Sequence, residues 1–275
     1  MLLTRLILEA HRMKWNYVYP GITALFLVCN TPSFSKSAEN KLIQPILNSP
    51  ASWFIGVGAG EQFPTWQNPI KVDNGSGFPA PYNQDLYATK ERNTAVIALS
   101  LGRRWQTENF WLPSYSFGVF WQYLFRTNLG SSITQYSMPE FTNYKYTWEL
   151  TSNLLLATAK INLVQYWKLS PYVNAGIGSS FNRTSDYKEE ALPGVTARVS
   201  PRFAKFSTSE FSYNVGAGVD LQLTPQVIFS VGYNYQDLGK ISSGSGKEAW
   251  SNQSLNPGAY HSNEVLVSLS YLFGK

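Results

Sequence analysis

At 275 residues the chain has room for a single domain, and its 44% hydrophobic content is ordinary. The make-up is not: 15% of residues are aromatic and only 14% charged, against about 25% charged in a typical soluble domain. Residues 1–35 carry Arg5, Arg12 and Lys14 against Glu9, so the net charge of +5 falls to +3 without them, too weak a basic excess to select nucleic acid. The one cysteine, Cys29, lies in the same segment, which excludes disulfides and thiolate metal sites from the remainder.

The first predicted element is a leader. Met13 offers a second start, Lys14 follows it, and Tyr17 to Cys29 is apolar apart from Thr23. Ser33 and Ser35 then supply small residues at the −3 and −1 positions of a signal-peptidase site. The apolar run is too short for an anchor and is interrupted by Pro20 and Gly21. Val28 before Cys29 speaks against a lipoprotein. The expected organisation is a signal peptide over 1–35, a short periplasmic segment over 36–50 and one β-domain over 51–275. Beyond the leader no run of about 18 apolar residues occurs, so a helical span is not expected.

Eight segments of period-2 alternation follow, the mark of β-strands. The first sets Trp53, Ile55, Val57 and Ala59 against Phe54, Gly56, Gly58 and Gly60. The second sets Ala95, Ile97, Leu99 and Leu101 against Val96, Ala98, Ser100 and Gly102. The third runs from Tyr115 to Arg126, with Phe117, Val119, Trp121, Tyr123 and Phe125 on one face. The fourth spans Lys145 to about Ile161; it opens with Tyr146, Trp148 and Leu150 opposite Thr147, Glu149 and Thr151, and its phase blurs at Leu154, Leu155 and Leu156.

The later strands alternate more cleanly. Val173, Ala175 and Ile177 oppose Asn174, Gly176 and Gly178; Tyr213, Val215, Ala217, Val219 and Leu221 oppose Asn214, Gly216, Gly218, Asp220 and Gln222. Val227, Phe229, Val231, Tyr233 and Tyr235 oppose Ser230, Gly232, Asn234 and Gln236. The last places Val265, Val267, Leu269, Tyr271 and Phe273 opposite Glu264, Ser268 and Ser270.

One face is thus apolar and the other small, weakly charged and glycine-rich. A soluble sandwich would turn a Lys- and Glu-rich face to water, whereas glycine in strands answers crowding, which a narrow barrel interior imposes. Connections 61–94, 128–144, 182–206 and 237–262 are long, and those between are short, down to Thr224, Pro225 and Gln226. Strict long–short alternation is the form of a barrel with long external loops and short periplasmic turns. Aromatics near both strand ends fit two lipid interfaces: Trp53, Trp105, Trp111, Tyr172 and Phe273 by the turns, and Tyr123, Phe125, Tyr144, Tyr146, Tyr235 and Tyr260 by the loops. The expected fold is all-β, an eight-stranded antiparallel transmembrane up-and-down barrel with four long external loops, closed by the last strand on the first.

The stretches 53–60, 170–178, 213–220, Tyr233-Asn234-Tyr235 and 267–273 resemble the small outer-membrane β-barrels of the OmpA-like, OmpX-like and opacity-type surface antigens. The resemblance implies location in a Gram-negative outer membrane, contact with its lipids and lipopolysaccharide, and assembly by the outer-membrane insertion machinery through the C-terminal strand. Gly274 and Lys275 depart from the family habit of ending on the aromatic.

The chemistry-bearing residues are few. His261 beside Ser262 is a poor base–nucleophile pair, because strand neighbours point to opposite faces. Glu149, Asp220, Glu264, Arg104, Arg126 and Lys160 are expected inside as a plug of paired charges, with a water-lined transport path as the alternative. Arg183, Lys188, Arg198, Arg202 and Lys205 are basic loop residues able to meet lipopolysaccharide phosphates, but Asp186, Glu189 and Glu190 lie among them. His261, Asp237 and Glu248 make no metal-ligand pattern. The expected function is a structural or adhesive surface barrel acting through its loops on a host or surface ligand, without catalytic, cofactor or metal residues. A small-solute pore and a lipid-modifying enzyme are the alternatives.

Overall fold

A computed structural model describes residues 50–197, 202–247 and 253–274. The expected signal peptide and periplasmic segment, together with Arg198 and Glu248, lie outside the described residues.

The chain order is β1 (Ala51–Thr65), β2 (Ile70–Asp73), β3 (Gln84–Thr89), β4 (Thr94–Gln106), β5 (Trp111–Asn128), β6 (Gly130–Thr134), β7 (Thr142–Val164), β8 (Leu169–Ala191), β9 (Arg202–Phe203), β10 (Phe206–Gln222), β11 (Val227–Ile241), β12 (Gly246–Lys247) and β13 (Gly258–Phe273). Eight of these form a closed antiparallel ring in the order β7, β5, β4, β1, β13, β11, β10, β8 and back to β7. The seam between last and first strands is long, running from Trp53 opposite Phe273 to Thr65 opposite His261. Closure leaves no open edge in the ring, as lipid requires, since lipid offers backbone groups no partners.

The faces follow from alternation. Ile55, Val57, Leu99, Leu101, Val119, Ile177, Val215, Val219, Val231, Val267 and Leu269 are exposed on the outer wall. Ser116, Gln122, Ser180, Asn214, Asp220, Ser230, Gln236 and Glu264 are buried inside. The polarity is the reverse of a water-soluble sandwich's, as expected for a wall that faces lipid.

The long connections carry strands of their own. Strands β7 and β8 have 23 residues each, while about 9–11 residues cross a bilayer, so much of each stands clear of lipid. Hairpin β2–β3 pairs with β6, and β6 with β7, extending the wall on the loop side. Beneath this extension lies an apolar core that includes Trp66, Ile70, Tyr87, Leu129, Tyr146, Trp148, Leu238 and Tyr260.

That core resolves the fourth expected strand and corrects part of the reading. In β7 the even positions point inward throughout: Tyr144, Tyr146, Trp148, Leu150, Leu154 and Leu156 are buried, while Leu155, Ile161 and Leu163 are exposed. The phase never slips; the apolar character changes face. At 154–156 the two apolar stretches overlap, one facing the core and one the outer wall, which is why alternation alone blurs there. Tyr144, Tyr146 and Tyr260 are therefore core residues and not members of a loop-side ring, and Tyr172 also points inward. Trp53, Trp111, Phe125 and Phe273 do lie exposed on the outer wall as expected, and Trp105 stacks on Tyr115 at 5.2 Å.

Candidate functional site

Inside the turn-side half, alternation on four neighbouring strands brings polar side chains into one row. Arg104 pairs across with Ser116, Ser116 with Lys160, and Lys160 with Asn174. Asp220 sits among them: Lys160 Nζ donates to its Oδ1 at 2.6 Å and Asn162 Nδ2 to its Oδ2 at 3.0 Å. Ser230 Oγ donates to Oδ1 at 2.6 Å, and Arg104 approaches Oδ2 at 3.5 Å while its Nη2 donates to Ser114 at 2.6 Å. The Lys160 ammonium also lies 3.9 Å from the centre of the Tyr172 ring.

Glu264 lies further toward the loops. Gln122 Nε2 donates to it, Asn234 Nδ2 does so at 3.2 Å and Gln236 Nε2 at 3.4 Å. Buried carboxylates are tolerated when donors surround them, and these three amides fill that role without a cation. Above this layer Gln62 Nε2 donates to Tyr260 Oη at 2.8 Å, and the apolar core begins. The expected plug of Arg104, Lys160, Asp220 and Glu264 is thus present, as two separate clusters.

Two of the expected interior residues are elsewhere. Arg126 and Glu149 face outward and pair with each other at 3.0 Å, with the Arg126 side chain 64% exposed. A bulge between Leu124 and Thr127 shifts the phase at Arg126. Glu149 faces out because the inward positions of β7 are the even ones. Ser262 is buried while His261 lies on the outer wall, so the two do point apart. Asp237, directly opposite His261, shares that wall, with 3.7 Å between His261 Nδ1 and Asp237 Oδ2, which is beyond hydrogen-bonding reach. Arg183, Lys188 and Lys205 are exposed, as are Asp186 and Glu190.

One further loop-side feature was not visible in the strand pattern. The turn between β2 and β3 and the segment between β6 and β7 meet and hold out Phe78, Tyr82 and Phe141, which are 59%, 42% and 40% exposed. Tyr136 lies between, with edge-on contacts to Phe78 at 6.1 Å and Phe141 at 6.0 Å. Asp85, almost fully buried, locks the two segments: its Oδ1 accepts from Asn74 Nδ2 at 3.1 Å and from the Tyr136 backbone N–H at 3.0 Å. Ser137 Oγ donates to the Gln84 carbonyl at 3.0 Å. Tyr136 and Ser137 take left-handed backbone angles, φ 54° and 56°, a conformation that non-glycine residues hold only when the surroundings impose it.

A family model described as outer membrane protein beta-barrel domain matches residues 55–273. Among solved structures, Neisserial surface protein A is similar, at 16% identity and TM-score 0.42, over 81% of this chain and 98% of that one. OprG from Pseudomonas aeruginosa is 13% identical with TM-score 0.44, over 82% and 98%. Ail of Yersinia pestis is 14% identical with TM-score 0.35, over 81% and 99%. No curated protein matches the sequence.

Proposed function

Because the chain belongs to the outer-membrane β-barrel family, we propose that it is a surface-display barrel whose aromatic tip contacts a macromolecular ligand outside the cell. In this reading the long loops face outward and the short turns face the periplasm. The carrying observation is the locked pair of segments 74–83 and 135–141. Large apolar side chains exposed to water far from the lipid band mark an interaction surface. Rigid aromatics set among Ser, Gly, Asn and Pro give contact area at low entropic cost. Outward Arg126, Arg183 and Lys188 stand near the expected level of lipid headgroups and contact lipopolysaccharide there. The apolar core from Tyr87 to Tyr260 favours a barrel closed to solutes over a pore.

The test places a photo-crosslinking amino acid at Phe78 on intact cells, with Val219 as the lipid-facing control. A discrete macromolecular adduct at Phe78, lost when Tyr136 and Phe141 become Ser, is the expected result. Adducts to lipid alone at both positions would overturn the tip as the contact surface. Planar-bilayer recording checks the closed state: open-channel steps in the purified barrel would favour the pore reading instead.

A further inference from the structure

The turn-side interior holds a cavity of about 130 Å³, and the two cations that line it share one carboxylate. Arg104 and Lys160 line it, and both pair with the single carboxylate of Asp220. Asp220 is already saturated by Lys160, Asn162, Ser230 and Arg104. Glu264 does not line the cavity and is satisfied by amides. Burying a cation without its own counter-charge is costly, because protein interiors solvate charge poorly.

A second observation concerns one of the two lining cations. Arg104 is buried, and its Nε–H finds no acceptor. The other cavity walls mix short hydroxyl and amide side chains, among them Ser100, Ser268 and Asn214, with apolar Phe54, Phe120, Ile228 and Leu272. Water could satisfy a donor, and about 130 Å³ holds a few waters, but water brings no counter-charge to the two cations at the cavity wall.

We propose that this cavity is a binding site for one small monovalent anion of halide size, held against Arg104 and Lys160. The anion supplies a second counter-charge beside Arg104 and Lys160 and completes the row Arg104, Ser116, Lys160 and Asn174. A halide with the few waters that complete its shell fits the cavity volume. The site makes barrel stability depend on anion occupancy by mass action, since the unfolded chain offers no such pocket.

Ser116 lies between the two cations in the sheet register, which gives a direct test. The refolded barrel in detergent is unfolded by heat while chloride is titrated, with ionic strength held constant by gluconate. The unfolding temperature of the wild type should rise and saturate with chloride. Ser116→Asp places a carboxylate beside both cations, so it should raise the unfolding temperature without chloride and flatten the chloride response. Lys160→Met should flatten the response as well. Should Lys160→Met fail to fold, crystals soaked in bromide give an independent reading: an anomalous peak beside Lys160 Nζ is expected. A wild-type response that never saturates, an equal chloride slope in Ser116→Asp, or no bromide peak in the cavity would each overturn the proposal.

Discussion

Toward the turns, the inward faces carry Arg104, Lys160, Asp220 and Glu264, and the outward faces carry Ile55, Leu99, Val219 and Val267. Toward the loops, the inward faces carry Tyr87, Leu129, Tyr146 and Trp148, and the outward faces carry Lys145, Thr147 and Lys188. The same sheet, with the same alternation, thus reverses its polarity along its length. What changes is the outside. Where the wall meets lipid, burying apolar groups gains little and the interior can be polar, provided it is hydrogen-bonded. Where the wall meets water, the hydrophobic effect again drives apolar groups inward. Strand β7 crosses the boundary, and its Leu154, Leu155 and Leu156 mark it.

The largest single-residue effect should come from the loop-side core. Trp148 is almost fully buried there, and Trp→Ala in a core costs about 3–5 kcal/mol. Trp148→Ala should loosen β2, β3 and β6 while the lipid-spanning ring survives. Hydrogen exchange should show lost protection confined to residues 70–89 and 129–150; uniform loss around the ring would mean the two halves are one cooperative unit.

The lipid wall should respond next. Val219→Arg exposes a charge to hydrocarbon, which costs about 2–4 kcal/mol near the bilayer midplane. Thr147→Arg is the matched control, since Thr147 is outward and exposed on the loop-side wall, and changes at such surface positions stay within about 0.5 kcal/mol. Folding yield into vesicles and urea midpoints measure both. Equal tolerance of the two arginines would erase the boundary drawn between the halves.

The ring itself was legible because period-2 alternation survives wherever one wall meets lipid, as in 53–60, 213–223 and 265–273. Closure of β13 on β1 followed from the need to satisfy backbone groups. Arg104, Lys160, Asp220 and Glu264 were legible as interior residues for the same reason. The loop-side core was not: Tyr144, Tyr146 and Tyr260 look like interface aromatics when only residue type and strand end are considered. Arg126 was missed because its inward placement assumed an unbroken strand, and the bulge at Leu124/Thr127 adds a residue that alternation cannot reveal. The tip was hidden for another reason. Asp85 holds Asn74 and Tyr136, a contact over 51 residues of sequence, and no local pattern encodes such a pairing.

The smallest predicted effect tests the polar half. Gly218 faces inward, and a methyl group there would meet the Val231 carbonyl and lie 2.6 Å from the Tyr172 ring. Tyr172 cannot retreat freely, because Lys160 stacks on its face and Gly232 lies against its hydroxyl. Overpacking of this kind costs about 1–3 kcal/mol, so Gly218→Ala should lower the unfolding temperature without blocking assembly. The two obstacles can be separated with a double-mutant cycle. Tyr172→Leu removes the ring and leaves the Val231 carbonyl, so Gly218→Ala added to Tyr172→Leu should cost less than it does alone. Equal costs in both backgrounds would place the strain in the backbone of β11, and would show that glycine at 218 serves strand approach and not the Tyr172 ring.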